Sequence, residues 1–175
     1  MAKISFNKLE LKINNSITVI TVANGQTFEV KAYLPVNEKL DMISWVINQS
    51  ADDLKFYNVG KLDIFKHIAI AQHYTNITFT EKQLSDPAHL YDLLVSSGVM
   101  VEIENAIPKA ELSWIDKVLN DTVDSIYKYQ NSVMGILDAV TTDYKDLNFD
   151  VAELQKNISN PENLGLLKDV VTKLG

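Results

Sequence analysis

The chain has 175 residues, a formal net charge of −7 and a hydrophobic fraction of 46%, enough apolar material to bury a core and too much for a wholly disordered polymer. It has no cysteine, which excludes disulfides and thiolate metal sites. All 16 basic residues are lysines; without arginine's planar fork, and with an acidic balance that repels phosphate, nucleic acid is not an expected partner.

The first 34 residues read as strands. Leu9, Leu11 and Ile13 alternate with Glu10 and Lys12. Ile17, Val19 and Thr21 alternate with Thr18 and Ile20, and Phe28, Val30 and Ala32 with Glu29 and Lys31. A period of two marks half-buried strands. Asn14-Asn15 is a candidate first turn. Asn24-Gly25 is a stronger one, because both residues tolerate the positive φ of a type I′ turn. The pattern predicts a meander of two hairpins, a sheet too small to be stable without a surface to pack on.

Pro35 closes the strands. Residues 37–49 have an apolar face at helical spacing, with Leu40, Ile43 and Ile47 flanked by Met42 and Val46, and Asn37 is the candidate N-cap. A second helix is expected over 61–74, with Leu62, Phe65, Ile68, Ala69 and Gln72 recurring every three or four residues. Thr80-Glu81-Lys82-Gln83 fits a capping box. Asp86-Pro87 fits a helix start that leads through Leu90, Leu93 and Leu94 to Gly98. Residues 99–107 form one more short helix before Pro108.

The longest periodic signal comes next. Leu112, Leu119, Ile126, Val133 and Val140 recur every seven residues, with Ile115, Tyr129 and Ile136 three positions later and Thr122 interrupting the second row. A helix of about 33 residues here would be about 50 Å long. The same stripe suits an intramolecular bundle or a coiled coil, and the scarcity of pairing charges beside it favours packing within the chain. Two short helices are expected after it, over 151–158 and from Asn160-Pro161 onward. The reading is therefore α+β: an N-terminal antiparallel β-meander of two hairpins (1–34) packed on a mostly helical body (35–108), then the long heptad-patterned helix and C-terminal helices (109–175).

Motifs for chemistry are not found. His67, His73 and His89 have no metal-ligand spacing, and His67 and His73, six apart on a helix, face different ways. The six glycines form no phosphate-binding loop. No Gly-x-Ser-x-Gly elbow occurs. Glu102 and Glu104 do not face each other on a helix and are expected in solvent. Phe56, Tyr57, Tyr74, Phe79 and Tyr91 are expected between helices. Tyr127 and Tyr129 cannot both point inward from one stripe, so at least one is exposed or covered by a partner. No catalytic, cofactor-binding or metal-binding residue is expected. A deep polar pocket joining a histidine to carboxylates would reverse that. No secretory signal is expected, because polar residues interrupt the Ile4-Ser5-Phe6 stretch that follows Met1-Ala2-Lys3. No apolar run approaches the roughly 20 residues that span a bilayer, so no membrane partner is expected.

Three stretches carry a resemblance: 33–40 (Tyr33-Leu34-Pro35-Val36-Asn37-Glu38-Lys39-Leu40), 74–83 (from Tyr74-Thr75-Asn76-Ile77 to Gln83) and 127–133 (Tyr127-Lys128-Tyr129-Gln130-Asn131-Ser132-Val133). They resemble proteins of the virion-morphogenesis cassette of tailed bacteriophages of low-GC Gram-positive bacteria, where tail-assembly chaperones and head–tail components are encoded. The resemblance implies a non-enzymatic protein that binds phage structural proteins in the host cytoplasm, or within the virion, and that can also bind copies of itself. The residues expected to make such contacts are Ile17, Val19, Phe28, Val30, Tyr127, Tyr129, Val133 and Leu137. An alternative expectation is a phage inhibitor or regulator that occupies a basic site on a host protein through an acidic surface.

Overall fold

The structure is a computed structural model that describes residues 3–52, 57–132 and 135. It is α+β: two antiparallel strands near the N-terminus, then six helices. Strand β1 (Ile17–Thr21) pairs with β2 (Thr27–Lys31). The helices are α1 (Val36–Ser50), α2 (Val59–Tyr74), α3 (Glu81–Leu84), α4 (Pro87–Ser96), α5 (Val99–Ala106) and α6 (Lys109–Gln130). The chain divides into two compact units, one ending at Val123 and the other beginning at Asp124.

One of the two expected hairpins forms. Residues 9–13 make no strand among the described residues; Leu9 is the last residue of a 3-10 turn, Phe6–Leu9, and Glu10 takes a left-handed φ of 48°. The strand alternation of Leu9, Leu11 and Ile13 thus finds no ladder to join among the described residues, and periodicity alone does not make a strand. The hairpin that does form turns differently from the expected I′ geometry. The Gly25 N–H donates to the Val22 carbonyl and the Val22 N–H to the Gln26 carbonyl, both at 2.9 Å. Gly25 alone takes a positive φ, 82°. Asn24 instead accepts from the Gln26 N–H at 3.0 Å through its side chain. A turn over Val22–Gly25 closed by a left-handed glycine is the three-residue hairpin loop with a glycine bulge.

The register runs from Ile17↔Lys31 to Thr21↔Thr27. Phe28 and Val30 point into the core, and Ile17 and Val19 point out of it. The free edge of β2 is covered by the turn after α2, where Val30 bridges Thr75 and the Glu29 N–H donates to Asn76 Oδ1 at 2.9 Å.

Helix α2 is the centre of the helical layer. It packs against α1, α4 and α5, so Ile68, Ala69, Ile70 and Ala71 are buried on all sides. The expected one-sided face over Leu62–Gln72 is accordingly too narrow: Ile70 and Ala71 are buried, and Gln72 is exposed. Trp45 meets Phe65 edge-to-face at 5.7 Å across the α1–α2 contact. The punctuation follows the sequence closely. Asn58 caps α2 by accepting from Gly60 and Lys61, Thr80 and Gln83 complete their capping box, and Asp86 caps α4 with Pro87 at its first position. Helix α1 begins one residue earlier than expected, with Pro35 at the cap position and Asn37 inside the first turn.

Helix α6 ends at Gln130 after 22 residues, short of the expected span of about 33, and Asn131 and Ser132 turn out of it, with the Ser132 N–H donating to the Tyr129 carbonyl. Glu111, Ile115, Leu119 and Val123 are buried at a spacing of four, so this part of the stripe is covered by the chain itself. Its continuation through Val133 and Ile136 to Val140, and both C-terminal helices, lie outside the described residues.

Candidate functional site

Two features stand apart from an ordinary core: an uncovered apolar segment at the N-terminus, and a charged network buried beneath it in sequence terms, where β2 runs into α1.

The uncovered segment begins at the first described residue. From Lys3 to Val19 no side chain is buried. Ile4, Phe6, Leu9, Leu11 and Ile13 are 48–72% exposed, and Ile17 and Val19 continue the series at 56% and 62%. Isolated exposed apolar residues are ordinary, but seven within sixteen positions are an interaction surface or an aggregation hazard. The segment has its own charge as well: Lys3, Lys8 and Lys12 against Glu10 make residues 3–16 net positive in a chain of net charge −7.

Beside this segment lies a free strand edge. The Ser16 carbonyl accepts from the Ala32 N–H, and the Val22 N–H donates to the Gln26 carbonyl. With Thr18↔Val30 and Ile20↔Phe28 between them, even-numbered positions of β1 turn their backbone groups toward β2. Ile17, Val19 and Thr21 turn theirs the other way, and no further strand takes them up among the described residues. A groove of about 460 Å³ lies between the β1 end of the hairpin, from Ile20 to Asn24, and the start of α5, at Ser97, Gly98, Val99 and Glu102.

The expected contact residues divide by face. Ile17 and Val19 are on the open face of the hairpin. Phe28 and Val30 are core residues, 8% and 0% exposed, because their positions across from Ile20 and Thr18 put them on the inner face. They are therefore not available to a partner. Tyr129 is 51% exposed and Tyr127 is half-buried, as a one-stripe helix requires. Val133 and Leu137 lie outside the described residues.

The buried network joins residues that no sequence motif links, Leu34, Lys39, Tyr74 and Glu111. The Glu111 carboxylate accepts from Lys39 Nζ, from the Tyr74 hydroxyl at 2.8 Å and from the Leu34 N–H at 3.2 Å. Lys39 Nζ also lies 4.2 Å from the Tyr33 ring centroid and 4.7 Å from that of Trp114. Burial, and then the Glu111 carboxylate, push the Tyr74 hydroxyl pKa far up. Every buried polar side-chain atom among the described residues has a partner. The network thus fastens α6 to α1, α2 and the end of β2. Its groups are satisfied by one another, and that is the pattern of a structural clasp.

The histidines sit in three different surroundings. His67 Nδ1 is 2.7 Å from the Asp63 carbonyl, its Nε2 is 3.4 Å from Glu104, and Tyr91 meets it edge-to-face while donating to Asp63 at 3.1 Å. Lys66 bridges Asp63 and Asp116 nearby. This cluster ties α2 to α4, α5 and α6, and Glu104 is engaged there instead of standing free in solvent. His73 is half-buried, and burial lowers its pKa, with Glu38 opposing. His89 is exposed. Among the described residues no group of three His, Asp or Glu side chains gathers as a metal site, and no helix is long and apolar enough to cross a membrane. No protein-family model, curated protein or solved structure matches the chain.

Proposed function

We propose that this protein is a non-enzymatic bacteriophage factor that binds structural proteins while the virion is assembled, at the tail or at the head–tail junction, in the cytoplasm of the host bacterium. The observation that carries the reading is the uncovered apolar surface of residues 4–19, which a protein acting alone would be expected to bury. The likeness of residues 33–40, 74–83 and 127–133 to virion-morphogenesis proteins supplies the class of partner. The mechanism is burial: Ile17 and Val19, on the open face of the hairpin, lose water against an apolar surface of the structural protein, at about 25 cal/mol per Å² of apolar area removed. No cofactor or bond-making step is needed for it.

The test is mass spectrometry of purified virions and of assembly intermediates isolated from infected cells. Presence in intermediates and absence from virions identifies a chaperone, and presence in both identifies a component of the particle. Absence from both defeats the proposal.

A further inference from the structure

Among the described residues the edge of β1 is open; it and the arm that precedes it are complementary, and they do not pair with each other. We infer that the edge is a receptor for the N-terminal arm of a second copy: residues 9–13 of one molecule add to β1 of another as a third strand. This stands on the hairpin's geometry and not on the phage reading, so either can fail without the other.

Several independent features point to that occupant. Strand β1 has five residues, and the alternating stretch Leu9–Ile13 matches it in length. The arm has strand periodicity without a strand partner, and the edge presents the outward backbone groups of Ile17, Val19 and Thr21 without a ladder; pairing satisfies both at once. Side chains in a strand alternate, so Leu9, Leu11 and Ile13 would share one face. On the inner side of β1 that face meets half-buried Ile20 and Val22 and the groove between the hairpin and α5. Lys8 and Lys12 would fall on the opposite face, and the positive arm approaches a body whose remaining charge is strongly negative. The arm's own route is set by the turn at Asn14, whose side chain accepts from the Ser16 N–H at 3.1 Å. Leu9, which ends the 3-10 turn, and Glu10, left-handed at φ 48°, must both become extended on pairing. Arm-to-edge pairing joins two different patches: exchanged both ways between two copies it closes as a two-fold dimer, and passed head-to-tail it closes as a ring or runs on as a filament.

The experiment uses the full chain. Sedimentation velocity across a concentration series is expected to show a reversible assembly larger than a monomer. Leu11→Lys alters only the exposed arm and should leave the body folded and monomeric. Val19→Pro removes an N–H that the hairpin itself does not use, and it too should be monomeric. An equal mixture of the two variants supplies one intact arm and one intact edge, so it is expected to restore association that neither shows alone. Should Val19→Pro unfold the hairpin, Val19→Lys with Thr21→Lys serves in its place as the edge-blocked partner. A wild-type chain that stays monomeric throughout the series overturns the proposal. So does a Leu11→Lys chain that assembles as tightly as wild type, which would mean that copies meet by some other surface.

Discussion

Lys39 and Glu111 are 72 positions apart in the chain, and their charged groups meet at 3.0 Å with both side chains almost wholly out of water. The pair closes α6 onto the start of α1, and Tyr74 and the Leu34 backbone donate to the same carboxylate. Removing one member of such a pair leaves the other charged and without a partner, which costs about 3–5 kcal/mol. Glu111→Ala, which orphans three donors, is expected at the upper end of that range, and Glu111→Gln, which keeps an acceptor for Tyr74 and Leu34, well below it. Urea denaturation of the three proteins checks the order.

Tyr74 makes the alkaline limb of stability steep. Its folded pKa is raised, first by burial and then by Glu111. Below about pH 10 the hydroxyl is neutral in both folded and unfolded chains. Above it the unfolded chain ionises and the folded one does not, so stability is lost as pH rises. Tyr74→Phe is expected to lose about 1.5–3 kcal/mol at neutral pH, the worth of a hydrogen bond to a charged acceptor. It should then decline less steeply than wild type above pH 10. Paired urea titrations at pH 7 and above pH 10 measure both effects.

His73 acts on the acid side. Burial lowers its folded pKa below 6.5, Lys31 reinforces the shift, and Glu38 and Asp41 oppose it. Above pH 6.5 the ring is neutral in both states and costs nothing. As pH falls below 6.5 the unfolded chain takes up the proton first, so this contribution to stability is lost in that direction. Nuclear magnetic resonance titration of the ring should place its midpoint below 6.5, and His73→Gln should flatten the loss of stability just under that pH.

The two faces of the hairpin should respond oppositely to truncation. Val30 is fully buried and Val19 is 62% exposed. Val30→Ala is expected to destabilise the fold by about 1–3 kcal/mol. Val19→Ser should stay within about 0.5 kcal/mol while weakening whatever binds the open face. Thermal melts for stability, combined with pull-down of structural proteins from infected cells, separate the two roles.

Local signals in the sequence proved legible where the physics is local. The Thr80–Gln83 capping box and the Asp86-Pro87 start are side-chain and backbone contacts within a few residues, and they form as the residue types require. Leu40 and Lys39 mark the limit. By residue type Leu40 belongs to the buried face of α1, yet it is 44% exposed and Lys39 is buried beside it. What turns the helix by that step is Glu111, brought from α6, together with the rings of Tyr33 and Trp114. Leu9, Leu11 and Ile13 show the same limit from the other direction: their alternation is a strand pattern, and no strand forms there, because among the described residues they engage no neighbouring edge.

From its sequence alone, then, this protein was bound to be α+β, with capped helices, a hairpin turning at Gly25, no disulfide and a positive arm ahead of an acidic body, because those properties follow from composition, periodicity and contacts only a few residues long. Only the tertiary structure decided that Lys39 lies inside and Leu40 outside, that Phe28 and Val30 are core while Ile17 and Val19 are surface, and that no further strand pairs with β1 among the described residues. Those outcomes depend on which distant residues arrive at a site, and burial free energy, unlike helix or turn propensity, has no value until the neighbours are in place.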